Sequence, residues 1–367
     1  NSGFFVRGGN IDQNLILLDE ATVYNPSHLF GFFSVFNSDA IKNAKMIKGS
    51  MPAEYGGRIS SVLDIKMKEG SNKDFRFTGG IGLISSRLSV EGPIVNDKGS
   101  FLISGRRTYA DIFTPLAGDE ALKDAQLYFY DLNLKANYSF NNSNKLYLSA
   151  YFGRDVLGFD DQFGFDWGNI TGTLRWNHLF SEKMFSNTSL IFSDYNYSVN
   201  VLSGDNDFEI TSGIRDINLK TDFQYFYNSE NRFSFGFIGF HHTFLPGEIE
   251  SNAGNVNDYK VQDKCGIELA AYISQETDLT HRIKLNYGLR YSSYLNIGPG
   301  TVYTFDENNF PTSITTYEDG ELINSYDGFE PRFSVNYLLD ETSSLKGAFS
   351  RNFQYIHLVS TSTTSTP

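Results

Sequence analysis

The stretch YDLNLKANYSF, residues 130–140, decides the fold class. Apolar and polar side chains alternate along its whole length, so Tyr130, Leu132 and Leu134 share one face, while Asp131 and Asn133 share the other. A period of two is that of a β-strand with one apolar and one polar environment. The sequence therefore predicts a strand that lies at a boundary between the two.

The same period of two extends from Phe75 through most of the remaining chain, for example over residues 283–289 and 329–337. Short turns separate many of these strands, after Phe140, Phe180, Tyr227, Thr277 and Leu339. Long polar segments alternate with the short turns, at 111–127, 155–166, 246–258 and 296–328. This alternation of connection lengths is typical of a transmembrane β-barrel, whose tight turns all lie on one side of the membrane.

Strand counting then makes a prediction about the beginning of the barrel. A chain that enters from the periplasm must cross the membrane twice before a tight turn at 91–100, so residues 75–91 should hold two strands with a hairpin tip at 83–86. The count reaches about thirteen strands by Phe353. Because bacterial barrels have an even number of strands, we expect an incomplete barrel, and we interpret both chain ends as truncations.

Composition supports a barrel and excludes other classes of protein. The 33 Phe and 22 Tyr residues suit a lipid-facing band with aromatic girdles. No apolar stretch approaches the roughly 18 residues of a membrane helix, and the mean hydropathy is −0.31. The net charge of −13 argues against nucleic acid as a partner, since phosphate binding needs clustered Lys and Arg. The single Cys265 forms no internal disulfide.

The first seventy residues follow an irregular pattern in which Gly and Asn clusters interrupt short strand-like runs. We expect strands at 4–7, 15–19, 44–48 and 62–67, with a short helical turn at 38–43. The whole chain is therefore predicted to be mainly β, with a partial α+β domain before an incomplete antiparallel transmembrane β-barrel.

Four segments of this first region resemble the C-terminal half of the plug domain of TonB-dependent outer-membrane receptors. They occur in the family's order directly before the barrel strands: VRGG at 6–9, QNLILLDE at 13–20, DAIKNAKMIKG at 39–49 and PAEYGGRISSVLDIKMK at 52–68. The residues of these segments are also similar to those of family members that carry an N-terminal carboxypeptidase-like regulatory domain. The resemblance implies a plug over residues 1–70 and the first part of a 22-stranded barrel, about 13 of its strands, over residues 71–367.

The resemblance also implies location, function and partners. It predicts a receptor in the outer membrane of a Gram-negative bacterium, surrounded by outer-membrane lipid. This receptor would bind an extracellular siderophore, glycan, peptide or vitamin and import it to the periplasm with energy from the TonB complex. A surface lipoprotein is a further possible partner. The alternative is a barrel that does not transport and acts as an adhesin or binding protein.

Candidate ligand contacts lie in YNPSHLFGFFSVF, residues 24–36, which the resemblance places at the plug apex. We expect Tyr24, Asn25, His28 and Phe30 to touch the ligand. The competing interpretation is that these rings only pack the plug against the barrel wall.

Other charged and polar positions complete the set of candidates. Arg7, Lys48 and Arg58 are predicted to face carboxylates on the barrel wall, or else to be solvated charges. The acidic stretch DVLGFDDQFGFDW, residues 155–167, would bind Ca²⁺, stack a sugar or form a solvated loop. His241 and His242 are adjacent on a strand and should point to opposite faces. Since we find no spaced nucleophile and base, metal cluster or phosphate loop, we expect no catalysis, metal or cofactor.

Overall fold

The computed structural model describes residues 5–109, 111–112, 125–159, 163–202, 207–251, 257–307 and 310–357. Strands dominate these residues, and they form one small sheet, one large sheet and two separate two-stranded ribbons. The fold is therefore mainly β, as the sequence predicts. Among the described residues, no helix has the length and hydropathy needed to cross a membrane.

The small sheet has four strands and is built from the first seventy residues. Its spatial order is β2-β1-β6-β5, with β1 and β6 parallel and the other pairs antiparallel. Two short strands, β3 and β4, form a separate ribbon. The bounds are β1 (Asn14–Leu18), β2 (Ala21–Thr22), β3 (Ser27–His28), β4 (Phe33–Ser34), β5 (Ile41–Lys48) and β6 (Ser61–Met67).

The helical turn expected at 38–43 is wrong, because β5 begins at Ile41 and pairs with Met67 of β6. Pairing with a distant strand overrides the local helical preference there. In the described residues, helical structure is confined to two 3-10 turns, Ile11–Gln13 and Leu29–Gly31. The strand expected at 4–7 is also wrong for residues 5–7, and Phe4 lies outside the described residues.

Within the described residues, the large sheet carries thirteen antiparallel strands in sequential neighbour order, which confirms the predicted count. We call this sheet the wall; the short β16 pairs with it at β15. The bounds are β7 (Arg76–Ile81), β8 (Ser85–Val95), β9 (Gly99–Thr108), β10 (Gln126–Asn141), β11 (Asn144–Phe159), β12 (Phe163–Ser181), β13 (Met184–Val201), β14 (Phe208–Phe226), β15 (Asn231–Ser251), β16 (Tyr259–Lys260), β17 (Lys264–Thr280) and β18 (Ile283–Ile297). The next strands are β19 (Gly300–Phe305), β20 (Pro311–Tyr317), β21 (Leu322–Leu338) and β22 (Ser344–Ser350), of which β19 and β20 form a separate ribbon.

The short turns lie where the sequence predicts them. At the end of the wall opposite these turns, however, the strands are longer than the sequence predicts. The predicted tip at 83–86 overlaps the connection between β7 and β8, which covers residues 82–84, and Ser85 and Ser86 already belong to β8. The five short turns each join two wall strands. The expected loop at 155–166 is mostly strand, since β11 runs to Phe159 and β12 begins at Phe163. Similarly, 296–328 contains the ribbon β19–β20. Beyond an apolar membrane band both strand faces are wet, so the strands continue without strict alternation.

The two faces of the wall have opposite chemistry, as β14 illustrates. Asp216 and Asn218 point toward the small sheet and are buried, whereas Ile217 and Leu219 point away and are exposed. Toward the end opposite the short turns, the outer face becomes charged, with ion pairs Arg154–Asp166 and Arg215–Asp194. An apolar outer band that ends in ion pairs is expected where a wall leaves the hydrocarbon layer.

The small sheet packs against the inner face of the wall. Its apolar core contains Ile16, Leu18 and Ile65, and the same cluster includes Leu102 of β9 and Tyr151 of β11. Wall residues therefore complete the core of the small sheet.

Candidate functional site

Ion pairs join the small-sheet region to the wall, and in four of them the acid lies on the small-sheet side. Asp19 contacts Lys135 at 2.5 Å, with both side chains buried. Glu20 accepts hydrogen bonds from Arg175 at 3.0 Å and from Ser189 at 2.7 Å. The other two pairs are Asp39–Arg87 at 2.6 Å and Glu69–Lys145 at 2.8 Å.

Glu20 is surrounded by cations from both the wall and the small sheet. Burial by itself raises the pKa of Glu20, but Lys220, Lys66 and Arg175 outweigh this effect and lower the pKa to about 2. The carboxylate is therefore ionised at neutral pH.

The three cations predicted to face the wall occupy different surroundings. Arg7 lies against Gly49, and Lys48 is exposed on β5. Arg58 lines a cavity of about 70 Å³ between the small sheet and the wall, together with Glu268 and His242. That volume suits about two water molecules. The role of these three residues as plug–wall contacts stays a prediction.

A second group of contacts uses arginines of the wall and backbone carbonyls of the small-sheet region. Arg332 donates to the carbonyl oxygens of Met51 at 3.1 Å and Tyr55 at 2.6 Å, and also to that of Pro52. These three bonds come from Nη1 of Arg332, and its Nη2 donates to Oε2 of Glu330 at 2.8 Å. Sequence reasoning missed this contact, because backbone acceptors carry no sequence signature.

Gly56 lies where the chain passes close to the wall. A Cβ atom at this position would lie 2.4 Å from Nε of Arg290, closer than van der Waals contact allows. The glycine pair Gly56-Gly57 was the available signal for this approach.

The apex segment, residues 24–36, begins with two polar contacts to the wall. The Tyr24 hydroxyl donates to Oδ2 of Asp216 at 2.5 Å, and His242 Nδ1 lies 2.7 Å from Oδ1 of the same carboxylate. Burial, followed by the neighbouring Asp216, raises the pKa of the Tyr24 hydroxyl. The Asn25 carbonyl accepts a hydrogen bond from Nδ2 of Asn169 at 2.9 Å. Both residues thus join the apex segment to the wall.

His28 is buried, with 1% of its surface exposed. Its Nδ1 lies 2.7 Å from Oδ2 of Asp155, its Nε2 lies 3.5 Å from Asp131, and its ring stacks on Phe129 at 4.0 Å. Burial by itself lowers the pKa of His28, but the hydrogen bonds to Asp131 and Asp155 outweigh it and raise the pKa.

Phe30 is half exposed and contacts two aromatic residues of β12. Its ring centre is 4.9 Å from that of Trp167 and 6.0 Å from that of Phe165. Leu29 and Phe30 have positive φ angles of 47° and 57°, which L-residues adopt at a cost. Three of the four predicted ligand residues, Tyr24, Asn25 and His28, therefore form hydrogen bonds with the wall. The fourth, Phe30, packs against the wall and is also half exposed.

The acidic stretch at 155–167 is divided between two faces of the wall. Asp155 points inward to His28, and Asp166 pairs with Arg154 on the outer face. Asp160 and Asp161 lie outside the described residues. Where the structure describes the chain, no group of three or more His, Cys, Asp or Glu side chains is arranged to hold a metal ion.

The two adjacent histidines point to opposite faces, as predicted. His242 is buried and His241 is exposed. They cannot chelate one ion together.

The family model described as "TonB dependent receptor-like, beta-barrel" matches residues 81–362. Among curated protein sequences, none matches the chain.

Solved structures share the fold at low sequence identity. The alcaligin outer-membrane receptor FauA of Bordetella pertussis is 14% identical, with a TM-score of 0.68 over 96% of this chain and 56% of that one. The copper transporter OprC is 11% identical, with a TM-score of 0.67 over 94% and 56%. The ferric-catecholate import receptor Fiu of E. coli K12 is 14% identical, with a TM-score of 0.63 over 95% and 64%.

The chain thus spans less than two thirds of the length of these structures. Its family is one of receptors and not of enzymes, located in the outer membrane of Gram-negative bacteria. The match over most of the wall, together with the shared fold, shows that this chain belongs to the TonB-dependent receptor family.

Proposed function

We propose that this chain is part of a receptor that imports an extracellular ligand to the periplasm with energy from the TonB complex. In this proposal, residues 1–70 act as the back half of the plug and residues 71–367 as the first part of the barrel. The observation that carries it is the small sheet packed on the polar inner face of the wall. A sheet in that position closes the lumen and must move before a ligand can pass.

The character of the contacts supports a closure that can be released. Ion pairs and single hydrogen bonds at residues such as Asp19, Glu20 and Tyr24 cross the interface, beside the apolar contacts of Leu102 and Tyr151. Polar contacts can be exchanged for water one at a time, whereas an apolar interface exposes its whole area to water at once. In this proposal, a pull from the periplasm separates such polar contacts in sequence.

We further propose that the ligand binds at the apex segment, with Tyr24, Asn25, His28 and Phe30 forming or supporting the site. The segment lies toward the end of the wall opposite the short turns, and Phe30 and Phe32 are 50% and 86% exposed. Exposed rings offer flat apolar surface to a siderophore, glycan, peptide or vitamin. A surface lipoprotein would add to this site from outside.

A reversible tether tests whether this movement is needed. The short side chains of Asn37 and Ser104 are hydrogen bonded to each other across the interface at 3.1 Å, so Asn37→Cys with Ser104→Cys, in a Cys265→Ser background, allows a thiol cross-link. Uptake is measured in cells carrying the full receptor, with a panel of labelled ferric hydroxamate, ferric catecholate, cobalamin, oligosaccharide and oligopeptide. We expect uptake of at least one probe, its loss on cross-linking and its recovery on reduction.

Two controls make the result specific. Either cysteine alone should transport normally, and a strain without TonB should bind the probe without accumulating it. Surface binding without uptake, in TonB-containing cells that express the untethered receptor, would favour an adhesin or binding protein instead.

A further inference from the structure

His28 is enclosed by groups from three neighbouring wall strands. Asp155 and Tyr151 face it from β11, with the Tyr151 hydroxyl 3.5 Å from Nε2, and Asp131 faces it from β10. Arg106 of β9 binds the Asp131 carboxylate at 2.6 Å. The same guanidinium donates to the Ser34 carbonyl of the apex segment at 2.7 Å.

The charges in this cluster balance only when His28 carries a proton. Two carboxylates face one guanidinium, so a neutral imidazole leaves one buried negative charge without compensation, and such a charge is costly. An imidazolium ion also donates from both ring nitrogens, whereas a neutral ring donates from one. Asp155 lies at Nδ1, and the Asp131 carboxylate lies 3.5 Å from Nε2, as does the Tyr151 hydroxyl. A doubly protonated ring therefore has an acceptor beside each nitrogen.

The Asp155 carboxylate holds the backbone of the apex segment as well. Its Oδ1 accepts a hydrogen bond from the Leu29 N–H at 2.8 Å, while Oδ2 binds His28. Leu29, Phe30 and Gly31 all have positive φ, at 47°, 57° and 100°. The two non-glycine residues adopt this conformation at an energetic cost, so the turn persists only while its attachments hold.

We propose that His28 is a proton-dependent clamp: its protonated ring holds the strained turn Leu29–Gly31 to Asp155 and Asp131, and loss of the proton releases it. Held in this way, Phe30 stays against Phe165 and Trp167. Released, the turn relaxes and Phe30 leaves the wall. The inference rests on the proposed function in one respect, namely that this turn faces the ligand, and it makes His28 a positioning residue and not a direct contact.

The direction of the pH effect follows from the site. The carboxylates raise the pKa of His28 above its ordinary 6.5, so the clamp is closed at pH values below about 6.5. It opens as the pH rises through the pKa of His28 in the folded protein.

The clamp can be tested on the full receptor in detergent, without any ligand. A nitroxide attached through Phe32→Cys, in a Cys265→Ser background, reports the mobility of the apex segment by electron paramagnetic resonance. Phe32 is 86% exposed, so the label does not disturb the core. Between pH 5 and 9.5 we expect an immobile spectrum to give way to a mobile one, with a single-proton midpoint above 6.5.

Three variants separate the clamp from a general effect of pH. His28→Gln should remove the transition, and His241→Gln, which removes an exposed histidine of the wall, should retain it. Asp131→Asn should lower the midpoint, because one of the two nearby carboxylates that favour the protonated ring is gone. Circular dichroism and resistance to proteolysis verify that each variant is folded.

A flat spectrum across the pH range, or an unchanged transition in His28→Gln, overturns the clamp. So does a midpoint in Asp131→Asn equal to that of the parent protein. Because no ligand is present, these outcomes leave the import proposal standing. Conversely, absence of uptake in cells rejects import and leaves the spin-label result valid.

Discussion

At the scale of single residues, the acids of the small-sheet region decide how firmly it is held. Asp19 and Glu20 follow the end of β1, where both have positive φ. That turn points two adjacent carboxylates at Lys135 of β10 and Arg175 of β12. One local conformation therefore supplies two ion pairs to the wall.

Replacing Glu20 by Gln should weaken this attachment in a pH-dependent way. The pKa of Glu20 is lowered from 4.5 to about 2, so its stabilising effect is complete above about pH 4.5 and is lost as the pH falls through about 2. The full effect is about 3 kcal/mol as an upper bound. We expect the thermal midpoint of Glu20→Gln in detergent to lie below that of the parent protein at pH 7 and to converge with it near pH 2.

Glu230→Gln is the matched control, because Glu230 is exposed in the short turn between β14 and β15. Its melting curve should follow the parent protein at every pH. Parallel curves for Glu20→Gln and the parent protein would show that Glu20 does not contribute through its charge.

At the scale of strands, each outward position has an environment set by its height along the wall. Leu219 and Thr211 share the outer face of β14, and the Arg215–Asp194 ion pair lies between their levels. Leu219→Arg should destabilise the barrel by about 2–4 kcal/mol, against about 0–1 for Thr211→Arg. Unfolding titrations in lipid vesicles measure the difference, and equal losses would contradict the assigned membrane band.

The sequence alone predicts the strands better than their contacts. Alternation at residues such as Leu132 and Asp131 identifies the strands, and the short turns after Phe140 and Phe180 set their order. Strand ends beyond the membrane were missed, because water on both faces removes the alternating pattern. The Asp19–Lys135 pair joins positions 116 residues apart, and no local pattern encodes that partnership.

The site was predictable to a similar extent. The aromatic segment at 24–36 identifies His28 and Phe30 as candidate site residues. The burial of His28 between Asp155 and Asp131 was not visible, because these acids belong to separate strands. Asp155, predicted as part of an acidic loop, instead binds His28 inside the wall.

At the scale of the whole molecule, the small sheet depends on the wall for its core. Leu102 and Tyr151 of the wall belong to the same apolar cluster as Ile16 and Ile65. A domain of about sixty residues is already marginal in buried area. Residues 5–74 expressed alone should therefore show no cooperative thermal transition and poor amide dispersion by NMR.

The informative comparison is the same segment attached to the wall. In the full receptor, its amides should be protected from hydrogen exchange. A cooperative transition in the isolated segment would show that the wall contributes little to its folding.

The length of the wall strands has a consequence for large molecules outside the cell. Strand β15 has 21 residues, which at about 3.3 Å each and a tilt of about 40° rise roughly 50 Å, twice the roughly 25 Å apolar band. About half of such a strand therefore forms a rim above the lipid. Residues 291–331 belong largely to this rim and contain no Lys or Arg. A large molecule that approaches this part of the rim from outside therefore meets negative charge before it reaches the inner face of the wall.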